Sequence, residues 1–362
     1  MPAAAKAVPS ETVAPKPVVA HVVRQHAEQA AFFWAQRDTL MAEDPPDEAV
    51  VAGIDRRLEA NLDGLRIAGP AAWPFIEAAY EDFPEKGELF LYAWMAIEFT
   101  DGKRVRDAVD LGRARGDDAR GLAGALAWHK PRTIAPLVRK WIGGADGFTR
   151  YLGVAACLEH GVDPKDLLAR LVRDPDPRAR AAALRLAGKL KRADLVRDIA
   201  AALEAEDEQV RLWAAWALNE LGSGDAAQAE LRRQVLANGP DALAALRALV
   251  EAGPGKEVRA FMGELLKNPE TAPLAVRGAG MLGDRSILHW LVHQMRTPAL
   301  APAAGSALLE AFPEARGVDG LFTLDATELG PAFEEHFGDF AIKVPVADRV
   351  NAWARHIPGN NT

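Results

Sequence analysis

Apolar and polar positions recur along this chain with a period of 30 or 31 residues. Between Asp174 and Gly222 one unit stands twice: Asp176, Arg180, Ala183, Ala187 and Leu190 answer to Asp207, Arg211, Ala214, Leu218 and Leu221. Self-similarity at that spacing marks a repeat architecture. Stepping outward from the arginines gives the marks Phe90, Arg120, Arg150, Arg180, Arg211, Ala242, Ala272 and Pro302. Three residues past each mark lies a small residue, Ala93, Ala123, Gly153, Ala183, Ala214, Ala245, Ala275 and Gly305. Seven past lies an apolar one, from Ile97 to Leu309. Spacings of three and seven share one helical face, and Ala or Gly at a crossing lets two helix backbones approach closely.

Asp146, Asp176, Asp207, Asn238 and Asn268 stand four residues before their marks, where a short side-chain oxygen can accept the free amides of a first helical turn. Pro177 and Pro269 follow at what would be the first helical position. Amphipathic partner segments lie between, such as Lys165–Val172, Ala193–Leu203 and Ala226–Leu236. Each repeat therefore reads as a helix pair, and the whole as an all-α solenoid of about eight pairs, since one pair cannot bury its own apolar stripe.

The order of Asp, Arg, small and apolar residues ending in Leu-Gly, as in Asp207–Gly222, resembles the short HEAT-like repeats of the phycobilisome-lyase type. The resemblance covers roughly residues 85–315 and implies an α-solenoid whose second helices line a concave face. A narrower one attaches to Arg57-Leu58-Glu59-Ala60-Asn61-Leu62-Asp63-Gly64-Leu65-Arg66 with Gly69 and Trp73. This run is similar to an uncharacterised bacterial HEAT-repeat family often encoded among type VI secretion genes, which implies a setting and no catalytic residue.

Four segments follow: a Pro-bearing disordered tail at 1–20, a helical N-terminal cap at 21–84, the solenoid at 85–315 and an irregular C-terminal cap at 316–362. In the cap, Val51, Ile54, Leu58, Leu62 and Leu65 form an amphipathic stripe, and Phe32, Phe33, Trp34 and Trp73 give it an aromatic character. Dense aromatics there would close the end of a solenoid or dock a partner helix. After Phe312 the period fades; Gly317–Leu324 reads as a loop or short strand, Pro331–Phe340 as a short helix and Val346–His356 as a last helix before the polar end Pro358–Thr362.

A net charge of −8 argues against a general nucleic-acid or anionic-membrane binder. No stretch reads as a signal peptide or a membrane span, so the expected setting is the cytoplasm. The single cysteine, Cys157, falls in the apolar column and reads as a small core residue. His289 and His293 share a helical face as zinc ligands would, yet Trp290 stands where a zincin carries Glu and no third ligand is near. The sequence holds no phosphate loop or nucleophile elbow, so no metal, cofactor or catalytic residue is assigned.

One surface carries the candidate site. If residues three, four and seven past each mark are buried, the fifth should face solvent. That column reads Ala125, Ala155, Arg185, Trp216, Arg247, Arg277 and Ala307, with Glu220 and Glu251 one turn past Trp216 and Arg247. Arg and Trp predominate at binding hot spots, whereas Glu220 and Glu251 would pair with the arginines if the stripe were ordinary surface. Trp213 is expected in the core. The ladder Arg120, Arg150, Arg180 and Arg211 is expected to tie repeats together by pairing with acidic side chains.

The leading expectation is a non-catalytic protein-binding scaffold or adaptor. It would hold a partner's helix or extended segment against Arg185, Trp216, Arg247 and Arg277, and the narrower resemblance implies a type VI effector or spike component as cargo. The alternatives are a HEAT-like enzyme or enzyme subunit, of the chromophore lyase or DNA glycosylase type, using the concave face, and an oligomer-building structural protein joined through its aromatic cap.

Overall fold

Three expected helix starts set the frame. The carboxylates of Asp146, Asp176 and Asp207 accept the backbone amides of Thr149, Ala179 and Val210 at 2.9, 3.0 and 2.9 Å, each satisfying a donor that the first turn leaves free. The computed structural model that contains them describes residues 18–222, 224–253, 255–338 and 342–357. Residues 1–17 of the expected tail, the polar end 358–362 and Phe340 lie outside the described residues. The chain is an all-α solenoid of HEAT-like helix pairs, and it divides into two compact units between Pro136 and Leu137.

The first unit holds α1 (Ala20–Met41), α2 (Glu48–Ala68), α3 (Trp73–Asp82), α4 (Lys86–Glu98), α5 (Gly102–Ala114) and α6 (Arg120–Trp128). α1 packs on α2 and α4, and α4 packs on α6. Every residue of α4 from Leu89 to Ile97 is buried, and the Phe90 ring stacks on Trp34 at 4.9 Å. α6 comes so close to α4 that a Cβ at Gly121 would stand 2.1 Å from the Lys86 carbonyl oxygen.

The run Arg57–Arg66 serves this packing. Leu58, Leu62 and Leu65 are wholly buried. The Asn61 amide donates to the Arg57 carbonyl at 2.8 Å and its oxygen lies 2.9 Å from His26 Nδ1. Arg66 donates to Glu59, Asp63 and Glu98 while its guanidinium covers the Trp94 ring at 5.0 Å.

α7 (Pro131–Ile142) carries the chain from one unit to the other. In the second unit α8 (Gly147–His160) is followed by four short second-layer helices, each succeeded by an inner helix. These pairs are α9 (Asp166–Leu171) with α10 (Pro177–Lys189), α11 (Val196–Ala201) with α12 (Glu208–Glu220), α13 (Asp225–Ala237) with α14 (Ala242–Ala252), and α15 (Lys256–Leu265) with α16 (Ala272–Met281). A fifth pair, α17 (Leu288–Gln294) and α18 (Ala301–Ala311), completes the array. α8, α10, α12, α14, α16 and α18 stack in sequence order as one layer. The small column is buried but does not mark these contacts: a Cβ on Gly153 of α8 would stand 2.8 Å from Ile142 Cγ1 of α7, and one on Gly305 of α18 3.0 Å from the Phe322 ring, while Ala183, Ala214 and Ala245 are fully buried. At α16 a Cβ on Gly280 would stand 2.5 Å from the Ala307 Cα of α18.

Asn238 and Asn268 are not helix starts. Asn238 ends α13 in the left-handed region at φ 50°, which Asn tolerates better than most residues. Asn268 shapes a turn by accepting the Glu270 amide at 3.0 Å, so Pro269 lies in that turn. The helices that follow begin at the marks themselves, Ala242 and Ala272.

The ladder arginines Arg120, Arg150 and Arg211 pair with acidic side chains as expected, whereas Arg180 bonds only a backbone carbonyl among the described residues. Arg150 on α8 grips Asp174, in the turn before α10, through two bonds of 2.7 Å and also donates to the Ala145 carbonyl. Arg180 donates to the Val172 carbonyl, just past the end of α9, and Arg211 to the Ala205 and Glu206 carbonyls and to Glu230. In the first unit Arg120 lies 3.3 Å from Asp38.

The C-terminal segment adds an antiparallel pair, β1 (Phe322–Thr323) with β2 (Val344–Pro345), then α19 (Pro331–Phe337) and α20 (Ala347–Ala354). Val350 and Ala354 of α20 join Phe312 and Leu291 in one apolar cluster.

Three substitutions test this packing. In urea unfolding Asp174→Ala is expected to lower stability by about 3–5 kcal/mol, because it strands a buried guanidinium. Gly280→Ala is expected to lower it by about 1–3 kcal/mol through overpacking against backbone. Gly263→Ala, in α15 with nothing within 4 Å of the added methyl, should raise it by about 0.5–1 kcal/mol.

Candidate partner-binding face

Each inner helix of the second unit is hemmed in by its neighbours in the layer and by the second-layer helix behind it. On α10 this buries Ala181, Ala183, Leu184, Leu186, Ala187 and Gly188, and leaves Arg178, Arg185 and Lys189 exposed. The column expected to face solvent is therefore not uniform. Arg185 is exposed, Ala155, Trp216 and Arg247 are half-buried, and Arg277 is buried at 3% exposure. Ala307, and Ala125 in the first unit, are fully buried.

Arg247 and Arg277 turn inward because Glu310 meets them. Arg247 donates to both Glu310 oxygens, at 2.8 and 3.1 Å, and Arg277 donates to the same carboxylate. The three residues stand on α14, α18 and α16. In a flat layer helices two places apart would be about 16–20 Å distant at the usual spacing, a long span for one Arg–Glu pair, so the inner edges lean together here. Hydrogen bonds from Arg247 and then Arg277 hold the Glu310 carboxyl well down, from the usual 4.5 to about 2, against the opposing effect of burial.

The expected acidic neighbours do not fill this role. Glu220 pairs instead with Lys191 at 2.6 Å, and Glu251 is exposed without an ion pair among the described residues. Glu310 escaped the sequence reading because it lies on the turn following Ala307 in the last repeat, far along the chain from both arginines.

The other half of the stripe is differently arranged. The Arg185 guanidinium lies over the Trp213 ring, 4.4 Å from its centroid, and Trp213 meets Trp216 edge to face at 5.8 Å. Trp213 is thus not a core residue. It is half-buried, with its Nε1 donating to Gln209 at 3.2 Å, while Trp216 lies against Gly188 of α10. Desolvation lowers the Arg185 guanidinium from its ordinary value, opposed by Glu159, although the side chain is exposed. Arg185, Trp213 and Trp216 form an aromatic and cationic cluster on α10 and α12.

Two further candidates fall to structural roles or plain surface. Cys157 is buried and its thiol is pushed up to about 11 by desolvation, which suits a small core residue rather than a nucleophile. His289 and His293 are both exposed on α17.

The Glu310 arrangement gives a signed acid dependence. A carboxyl depressed in the folded state contributes stability above its unfolded value and loses it as the pH falls through its folded value. The contribution is therefore lost between about pH 4.5 and about pH 2. Glu310→Gln is expected to be less stable than the parent at neutral pH, by at most about 3 kcal/mol, with a flatter acid limb when urea midpoints are plotted against pH.

No curated protein matches the chain. Residues 164–267 match the family model for HEAT repeats. The matched segment runs from α9 to α15 and contains Arg185, Trp213 and Trp216, while Arg277 and Glu310 lie beyond it. Over this segment the chain is similar to HEAT repeats in sequence, and it carries the same stacked helix pairs beyond it.

Proposed function

We propose that this protein is a non-catalytic protein-binding scaffold or adaptor, which holds a helix or extended segment of a partner against the α10–α12 part of its inner face. HEAT repeats are commonly protein-interaction modules. The observation that carries the reading is the exposed Arg185 lying on Trp213, beside Trp216. Large flat side chains with polar edges supply most of the binding energy in interfaces, and a rigid pair loses little entropy when a partner covers it. Arg247 and Arg277 act in this proposal through Glu310, as the brace that shapes the neighbouring part of the face.

A type VI secretion effector or spike component remains the proposed cargo, supported by the resemblance of the run Arg57–Arg66. A cytoplasmic setting belongs to the same proposal. No described helix is long and apolar enough to cross a membrane.

The test is affinity capture from the native lysate with the parent chain, Trp213→Ala, and Leu236→Ala as a control at an exposed residue of α13. The expected outcome is one prominent partner, reduced about tenfold or more with Trp213→Ala and unchanged with Leu236→Ala. Equal capture by all three would remove the α10–α12 face from consideration.

A further inference from the structure

Arginine occupies the same place in three repeats of the stripe, and two of the three already have a carboxylate. Arg247 and Arg277 share Glu310. Arg185, at the equivalent place on α10, makes no hydrogen bond or ion pair among the described residues; its contact is the Trp213 ring beneath it. Stacking on an indole covers one face of a guanidinium and leaves its N–H edge free, and that edge is the part that takes a carboxylate through two parallel bonds. The residues one period either side of Trp213 are Ala182 and Ala244, so small side chains flank the indole along the layer. The pattern is a charged edge beside an apolar shelf: at one end of the face a carboxylate bonds the arginines, while at the other Glu159 acts on Arg185 from beyond ion-pair range.

Building on the proposal that this face binds protein, we propose that the partner is an acidic peptide segment. An Asp or Glu carboxylate of that segment accepts two hydrogen bonds from the edge of Arg185, and an adjoining apolar side chain of the same segment lies against Trp213 and Trp216. Glu310 displays the chemistry within the chain, since its carboxylate accepts from both terminal nitrogens of Arg247. Exposed Lys189 of α10 adds positive charge one turn from Arg185. Binding of this kind weakens as salt screens the pair, whereas a purely apolar contact does not weaken in that way.

A random peptide library displayed on phage and selected against the full-length chain tests the inference, with Arg185→Gln and Trp213→Ala as parallel targets checked by circular dichroism. The expected result is enrichment of sequences with Asp or Glu next to an apolar residue. A synthetic peptide from that set should bind Arg185→Gln about tenfold or more weakly, and its own Glu→Gln or Asp→Asn version should bind the parent chain equally weakly. Selected peptides without an acidic residue that still lose affinity for Trp213→Ala would overturn the carboxylate proposal and leave the binding face standing. Peptides indifferent to both substitutions, or no enrichment, would overturn both.

Discussion

Inner helices of the second unit meet almost backbone to backbone at the α10–α12 and α16–α18 joints, and the rest of that unit is arranged around this contact. An added Cβ on Gly188 of α10 would stand 2.8 Å from the Ala217 Cα of α12, and at Gly280 even a methyl group has no room against α18. Close approach brings many atoms into van der Waals range and excludes water from the seam. It also leaves little space for error, so each joint needs helices that begin at a fixed place. Asp146, Asp176 and Asp207 define those beginnings in the first repeats. In the later repeats a left-handed Asn238 and the Asn268 turn reach the same packing from a later start.

Polar side chains then secure what the seam positions. A buried guanidinium has to be fully answered, and the Arg150–Asp174 pair with its carbonyl contacts answers it. Arg180 and Arg211 spend their donors largely on backbone carbonyls near helix ends, which are groups that no intrahelical bond satisfies.

The inner face shows how one sequence position can serve two ends. Arg247 and Arg277 meet a carboxylate from the last repeat and become part of the framework. Arg185 has an indole in place of a carboxylate and stays available at the surface. The difference lies in what the neighbouring helices present, since all three share the same place in the repeat. Similarly, Arg57–Arg66 bears many charged groups but uses them to cover and align a leucine stripe in the first unit.

Sequence alone determined the fold class, the period and the first three helix starts, because each rests on local periodicity or on side chains within one turn of the atoms they satisfy. It also placed the short C-terminal helices around Pro331–Phe337 and Ala347–Ala354. Tertiary structure decided which stripe residues remain accessible. A single helix has an opposite side, but a helix packed within a layer keeps only a narrow ridge, so Arg277 is buried and Trp213 emerges half-exposed. Glu310 met Arg247 from 63 residues away, and no local pattern could announce that pairing, because it depends on how far the inner edges of α14, α16 and α18 lean together.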